Sequence, residues 1–345
     1  MAKQYTVTLT LPNGKRKYFR GSTKKEAEKK RDEAKREIDA GLDITSAPTV
    51  EEFSKLWLKE YKEGVVRDTT YINLTSLLRC YILPEIGRLK VRDVKPAHIR
   101  RMLRAMDDKA KSTQARTLTV AKEMFKAALE NDLILKNPCV SSIRPSGEDA
   151  EEKTPLTPEQ ESLLLEKAKG TGMYMFVLLG LNAGLRHGEL LGLQWKDFDF
   201  EKGMVSVQRS VARTVENRNG VVSDDMKTAA AHRTIPLPWS VIEEVRAEMS
   251  RSNSVYVVPN SHGKLLSIAA SGQRWERFMK GLPFYTTPHR MRHTRITRWF
   301  EQGLDIKEIQ YLAGHANSKV TLDIYTHYQK EARMLDTARK IQAMG

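Results

Sequence analysis

The sequence predicts a multidomain, mainly α-helical protein with small antiparallel β-sheets. Its 345 residues exceed the length of one typical domain. Capped helical patterns occupy most of the chain, whereas the alternating β-branched stretches are short and few. A polar segment without periodicity, residues 144–154, is predicted to be a linker. We therefore expect an N-terminal domain (1–47), a middle domain (49–143), this linker, and a C-terminal domain with a tail (155–345).

The N-terminal region is predicted to form a β-hairpin followed by one helix. Two β-branched and aromatic stretches, 5–11 and 15–19, flank a Pro-Asn-Gly turn. Thr23 and Glu26 have capping-box spacing, and the helix is expected to end near Gly41. A basic hairpin on a helix can lie in a DNA groove, although a solvated charged face has the same composition. The candidate contact residues are Lys15, Arg16, Lys17 and Arg20.

The middle region is predicted to be a helical bundle with a basic character. Thr49 and Glu52 form a second capping box. Helices are expected at 50–61, 69–83, 96–106 and 112–131, with a break at the Pro-Glu-Ile-Gly sequence 84–87. The candidate DNA contacts of this region are Arg100, Arg101, Arg104, Lys111 and Arg116.

The C-terminal region is predicted to mix helices and strands. The sequence Thr157-Pro-Glu-Gln160 is a strong helix start, and an apolar helix is expected at 173–183. The chain is expected to be helical again from about Ile268. Strands are expected at 204–215, 221–226 and 233–237, with a turn at Asn219-Gly220.

The composition favours a polyanionic partner. The net charge is +15 and the isoelectric point is near 9.6, so nucleic acid is the leading candidate. Cys80 and Cys139 lack the neighbours of a zinc site or a disulfide framework. The sequence shows neither an apolar run of membrane-span length nor a signal peptide. We expect a protein of the reducing cytoplasm with no membrane partner, no cofactor and no metal.

Five short motifs that contain Arg, Lys, His or Tyr lie in the C-terminal region. They are Gly184-Leu-Arg186-His-Gly-Glu189, Lys227-Thr-Ala-Ala-Ala-His-Arg-Thr-Ile-Pro-Leu237, Thr287-Pro-His289-Arg-Met-Arg292-His293-Thr294, Leu312-Ala-Gly-His315 and Tyr325-Thr-His-Tyr328. Neither a carboxylate cluster nor a P-loop accompanies them, so they do not indicate metal or nucleotide chemistry.

This set resembles the catalytic domain of the tyrosine recombinases, the phage-type integrases. That family carries, in chain order, Arg, Lys, His-x-x-Arg, His or Trp, and Tyr. The resemblance covers residues 155–345 well and the middle region more loosely. The corresponding residues here are Arg186, Lys227, His289, Arg292, His315 and Tyr325.

The resemblance implies a 3′-phosphotyrosine reaction on DNA, and phosphate chemistry explains the residue types. Arg186 and Arg292 are suited to clamping the nonbridging oxygens, with His315 as a third donor. Tyr325 would be the nucleophile, a role in which a phenol with a pKa of about 10 needs help. His289 is the candidate base. Lys227 is the candidate acid for the leaving 5′ oxygen.

Taken singly, each of the six catalytic candidates also fits a structural role. The neighbouring residues are interpreted as follows. Glu189 is interpreted as a structural acid that holds Arg186 or the helix start. His293 is expected in a packing or supporting role. Two rivals exist: Lys202 for the acid and Tyr328 for the nucleophile. Three further histidines are interpreted as surface residues: His187, His232 and His327.

The family further implies double-stranded DNA as partner and a homotetramer that works through a Holliday junction. The middle domain would clamp the core site, and the N-terminal domain resembles an arm-site-binding domain, although two strands are identified rather than three. The resemblance also implies a protein associated with the nucleoid of a bacterial host cell, where an excisionase or a host DNA-bending protein could assist. The stretch Gln329–Met344 is expected to be a helix that docks on its own domain or on a neighbour. The competing functions are a type IB topoisomerase and a helix-turn-helix regulator built on residues 305–325.

Overall fold

The computed structural model describes residues 4–11, 14–39, 47–148, 154–223, 232–315, 317–319, 321–322, 324–326 and 342. The chain divides into two compact units, Met1–Glu151 and Glu152–Gly345. The described part is mostly helical with small antiparallel sheets, which confirms the predicted fold class. No helix in this part is long and apolar enough to cross a membrane.

The N-terminal hairpin pairs strand β1 (Tyr5–Thr10) with strand β2 (Arg16–Gly21), and helix α1 (Lys24–Asp39) packs on it. The alternation of the strands places one face against α1 and leaves the other in solvent. Leu11 and Ala34 are buried between the layers, flanked by Leu9, Phe19 and Ile38. Over the described residues this sheet has the two strands that the sequence predicts.

The start of α1 departs from the predicted capping box by one residue. The hydroxyl of Thr23 accepts the N–H of Glu26 at 3.2 Å, as expected. The carboxylate of Glu26, however, accepts the N–H of Ser22 at 2.8 Å and its hydroxyl at 2.7 Å. The reciprocal bond therefore goes to Ser22 rather than to Thr23.

The middle region is a helical bundle around its own core. Its helices are α2 (Val50–Tyr61), α3 (Asp68–Leu77), α4 (Leu83–Ile86), α5 (Pro96–Arg104) and α6 (Lys111–Glu130). The capping box of Thr49 and Glu52 is present as predicted. Burial of large apolar side chains stabilises the bundle, chiefly through Phe53, Trp57, Ile82, Ile99, Met102, Met124 and Phe125.

The predicted break at residues 84–87 is wrong for 84–86, which are helical, and the helix ends only there. A π-helical turn, Leu78–Ile82, joins α3 to α4, and Pro84 lies inside the helical run. The N–H of Leu83 bonds to the carbonyl of Leu78, so a new helical register begins there. Pro84 then occupies the first turn of α4, where a missing N–H costs little.

The described part of the C-terminal unit contains the buried helix α8 (Tyr174–Asn182) and six further named helices. These are α7 (Pro158–Ala168), α9 (His187–Gly192), α10 (Trp239–Arg251), α11 (Ile268–Met279), α12 (Pro288–Glu301) and α13 (Ile306–Ala313). The sequence interpretation missed α10. The starts of α7 and α12 are capped by Thr157 and Thr287, each followed by proline.

The strands of this unit form two small antiparallel sheets. Strand β4 (Met204–Val207) lies between β3 (Phe198–Asp199) and β7 (Arg233–Pro236), and β5 (Ser210–Ala212) pairs with β6 (Val221–Ser223). The strand predicted over 204–215 is therefore divided. The division falls where Arg209 turns inward and places one nitrogen 2.8 and 2.6 Å from the two carboxylate oxygens of Asp197.

Candidate active site

Three arginines converge on consecutive carbonyl groups at the end of α13. Arg233 donates from Nε to the oxygen of Leu312 at 2.7 Å. Arg292 donates to the carbonyl of Ala313, and Arg186 donates to the carbonyl of Gly314. A helix C-terminus carries partial negative charge, so it stabilises cations placed there. The fold thus brings together residues from the start of α9, from β7 and from α12.

Gly314 shapes this end of the helix. It has φ +62° and ψ 41°, the left-handed conformation that closes a helix and favours glycine. The N–H of His315 then bonds to Gln310 at 3.1 Å. The next side chain along the chain, His315, is thereby fixed beside the arginines.

Glu189 is the anion at the centre of the cluster, with 2% of its surface exposed. One oxygen accepts from Arg186 Nη1 at 2.8 Å, and the other accepts from the Arg186 backbone N–H at 2.8 Å. Burial alone would raise the pKa of Glu189, but its bonds to Arg233 and the charges of both arginines lower it to about 2. Glu189 therefore holds both Arg186 and the helix start, as its position in the sequence indicates.

Arg292 is buried, with 2% of its surface exposed. Its Nη1 donates to the carbonyl of Gly184 at 2.8 Å. Burial lowers the pKa of Arg292 to about 9, and the charge of Arg186 adds to this effect. A guanidinium has five N–H donors, so these carbonyl bonds leave capacity for an anionic ligand.

His315 is nearly buried, and its Nδ1 lies 2.8 Å from the hydroxyl of Thr321. Burial lowers the pKa of His315 to about 3, followed by the charges of Arg292 and Arg186. The ring is therefore neutral near pH 7. When Thr321 donates to Nδ1, the ring hydrogen lies on Nε2 and can be donated to a ligand.

His289 and Tyr325 complete the described part of the predicted set. His289 is exposed on the first turn of α12, near enough for its charge to lower the pKa of His315. The ring of Tyr325 is half-buried and packs on Phe300, with centroids 5.1 Å apart. Tyr325 thus lies at the edge of the core. Lys227, His327 and Tyr328 lie outside the described residues, as does the predicted C-terminal helix except for Gln342.

His187 is not the surface residue that its sequence context suggested. It is half-buried, with Nε2 2.9 Å from the hydroxyl of Ser271 and the ring edge-on to Phe176. Burial lowers the pKa of His187, and the charge of Arg213 acts in the same direction. The helix α11 that carries Ser271 covers this ring, which is a tertiary contact with no local sequence signal. His232 is exposed as expected.

The predicted DNA-contact residues lie in two separate regions. On the hairpin, Arg16 and Arg20 share the exposed face with Tyr18, whereas Lys17 lies half-buried on the helix side, over Phe19. Lys15 is exposed at the end of the hairpin. In the bundle Lys111 is half-buried, and four other candidates are exposed: Arg100, Arg101, Arg104 and Arg116.

Sequence reasoning missed two residues of this site. Arg233 lies in the motif Lys227–Leu237, and its position at the start of a predicted strand beside Lys227 is a signal that could have identified it. Thr321 follows His315 by six residues and gave no signal. Among the described residues, no group of three potential metal ligands is close enough to hold an ion.

Two family models match the chain. The phage integrase family model matches residues 155–332, and the model of the phage integrase N-terminal SAM-like domain matches residues 49–106. The first contains Arg186, His289, Arg292, His315 and Tyr325, and the second covers the first part of the helical bundle.

Two relatives extend the similarity to most of the chain. The XerC-like tyrosine recombinase of Caldanaerobacter subterraneus subsp. tengcongensis is 31% identical over 94% of this chain and 92% of its own length. The transposase from transposon Tn916 of Enterococcus faecalis is 25% identical over 89% of this chain and 81% of its own length.

Solved structures show the same fold. The Tn1549 transposon integrase in complex with a circular intermediate DNA has a TM-score of 0.70 at 26% identity, with 80% of this chain and 95% of that chain covered. A lambda integrase tetramer bound to a Holliday junction has a TM-score of 0.62 at 17% identity, over 93% and 94% of the two chains. The second likeness is one of fold alone.

Proposed function

The chain belongs to the phage integrase family, the tyrosine recombinases, and we propose that it is the integrase of a phage or another integrative mobile element. It is a site-specific DNA recombinase, as family membership and its recombinase relatives establish. The similarity to the Tn916 transposase and to the Tn1549 integrase supports a mobile element as its source. The N-terminal hairpin and helix support an integrase over a chromosome-dimer resolvase, which lacks such a domain.

The arginine cluster is the observation that carries the mechanism. Arg186 and Arg292 approach from two different elements, and Arg186 keeps 40% of its side chain exposed. Their guanidinium groups would bind the nonbridging oxygens of the scissile phosphate and stabilise the added charge of its pentacoordinate transition state. The neutral ring of His315 would donate a third hydrogen bond from Nε2.

Tyr325 is the proposed nucleophile. Its phenol oxygen attacks phosphorus while the bond from phosphorus to the 5′ oxygen breaks. His289 accepts the phenol proton, and Lys227, assigned from its motif, donates a proton to the leaving oxygen. The product is a 3′-phosphotyrosine link with a free 5′ hydroxyl. Attack by the 5′ hydroxyl of another strand reverses the step, so a first exchange produces a Holliday junction without an external energy source.

The hairpin is the proposed contact for a second, arm-type DNA site. Its exposed face pairs Thr6 with Arg20, Thr8 with Tyr18, and Thr10 with Arg16. This face presents two cations and hydroxyl groups to solvent on a two-stranded ribbon, a shape that fits the major groove. We further propose a homotetramer on DNA and assistance from an excisionase or a DNA-bending protein.

A suicide substrate tests the proposed reaction. The protein is incubated with nicked duplexes that carry the ends of the element, and the products are run on a denaturing gel. We expect a covalent complex through the 3′ phosphate, with a free 5′ hydroxyl, and strand transfer to a partner duplex. A covalent complex that gives no strand transfer to a partner duplex would favour a topoisomerase, and the absence of any adduct would favour a DNA-binding regulator.

A further inference from the structure

Arg233, like Arg292, is a buried cation of the active-site cluster. It is the first residue of β7, and its side chain is 0% exposed. Burying a guanidinium is costly unless its donors are satisfied by hydrogen bonds and an opposite charge. A buried and fully paired arginine therefore suggests a specific function. The reaction steps proposed for recombination do not use Arg233.

The donors of Arg233 join two parts of the site. Nε binds the carbonyl of Leu312 at 2.7 Å. Nη1 and Nη2 bind the two carboxylate oxygens of Glu189 at 3.1 and 2.9 Å. The same carboxylate holds the side chain and the backbone of Arg186. The guanidinium of Arg233 thus links Glu189, which holds Arg186, to the end of α13, which precedes His315.

The fork geometry explains why an arginine is needed here. Two parallel bonds fix the plane of the Glu189 carboxylate, which in turn directs the guanidinium of Arg186. A lysine ammonium is a single point charge, so it cannot contact both carboxylate oxygens and the Leu312 carbonyl in this fixed arrangement. The three arginines and Glu189 carry a net charge of two positive units by formal count, which suits a site for an anionic phosphate.

We propose that Arg233 is a positioning residue for DNA cleavage: it holds Arg186 and the turn before His315 in the arrangement that binds the scissile phosphate. This inference rests on the proposed function. Arg233 acts through Glu189 and Leu312, and it does not itself touch the DNA.

Arg233→Lys tests this role, with Arg209→Lys as the matched control. Arg209 is also buried and also forms two bonds to one carboxylate, Asp197, in the same unit. Three quantities are measured for each full-length variant: the melting temperature, the Kd for the nicked suicide duplex, and the single-turnover rate of covalent complex formation at saturating DNA. Rates are taken well below both melting temperatures.

Arg233→Lys is expected to lower the single-turnover rate about 10- to 100-fold, since a displacement of about 1 Å in a catalytic group has that effect. Its Kd should stay within about threefold of the wild-type value, because phosphate contacts elsewhere supply the affinity. Arg209→Lys should lose stability but cleave at the wild-type rate.

Two results would overturn the inference. One is wild-type cleavage by folded Arg233→Lys, and the other is an equal loss of rate in both variants. If the wild-type protein forms no covalent complex at all, the proposed function itself fails, which is a different outcome.

Discussion

The imidazole of His315 is kept neutral by its surroundings. Burial and the charges of Arg292 and Arg186 lower its pKa to about 3. A neutral ring can be a hydrogen-bond donor to phosphate only if one defined nitrogen carries the hydrogen. When Thr321 donates to Nδ1, that nitrogen is Nε2, so a residue without any sequence signal helps to set the state of one that the motif identifies.

The depressed pKa of His315 predicts a pH-dependent stability. In the unfolded chain this ring takes up a proton near its ordinary value of 6.5, whereas the folded protein does so only near 3. Between these values the unfolded state binds more protons, so the free energy of unfolding falls as the pH drops. The lowered pKa of Glu189 also decreases the free energy of unfolding as the pH drops, but only below about pH 4.5, its ordinary pKa.

Urea unfolding at pH 7 and pH 5 measures this effect. His315→Gln should lose less stability than the wild-type protein over this interval, because glutamine does not titrate. His262→Gln, on an exposed turn, serves as the control and should behave like the wild type. Equal pH dependence in all three proteins would contradict the buried, neutral state of His315.

Thr321→Val removes the hydroxyl that lies beside Nδ1 of His315. We expect the single-turnover cleavage rate to fall about tenfold, the equivalent of roughly 1.4 kcal/mol or one hydrogen bond. Thr321→Ser keeps the hydroxyl and should retain most of the rate. Equal rates for the valine and serine variants would show that the hydroxyl does not orient the ring.

At the scale of elements, the end of α13 organises the site. Its last carbonyls receive the three arginines, and Gly314 turns the chain so that His315 follows at once. The left-handed conformation of Gly314 costs an ordinary L-residue about 1–2 kcal/mol.

Gly314→Ala should therefore lower the free energy of unfolding by about 1–2 kcal/mol, and Gly314→Asn by less, because asparagine tolerates this conformation better. Chemical denaturation measures both values. If the Gly314→Ala variant is as stable as the wild-type protein, Gly314 does not adopt the left-handed conformation. That result would contradict the described convergence of the arginines on this helix end.

The parts of the fold that the sequence predicts are those defined by interactions between residues close together in the chain. Apolar periodicity and caps identify α2 and α7 because hydrogen bonds between near neighbours and one apolar face define them. The family motif likewise identifies Arg186 and Arg292.

The features that sequence reasoning missed depend on contacts between distant residues. Arg233 binds Glu189 across 44 positions and Leu312 across 79, and His187 meets Ser271 across 84. The π-helical turn before Pro84 also escaped prediction, because a proline in sequence indicates a break whether or not a change of helical register accommodates it.

At the scale of the whole molecule, the net charge of +15 predicts DNA binding that weakens steeply with salt. Each phosphate contact contributes about 0.9 to the slope of log Kd against log salt concentration. Removing Arg16 and Arg20 together should therefore lower the magnitude of this slope by about 2 if both contact phosphates.

Fluorescence anisotropy with a random-sequence duplex measures this slope. The control variant replaces Lys29 and Lys35, two exposed lysines of α1, and removes the same charge from outside the strand face. Equal slopes for the two double variants would show that charge alone matters and that the hairpin face is not a contact surface.

The attack of Tyr325 on DNA, within the site built by Arg186, Arg292 and His315, is the proposed first step of recombination. It is tested most directly by trapping the covalent complex, digesting protein and DNA, and locating the modified tyrosine by mass spectrometry. We predict a nucleotide on Tyr325, with adducts formed by Tyr328→Phe but not by Tyr325→Phe. A nucleotide on Tyr328, or an adduct that persists in Tyr325→Phe, would contradict the claim.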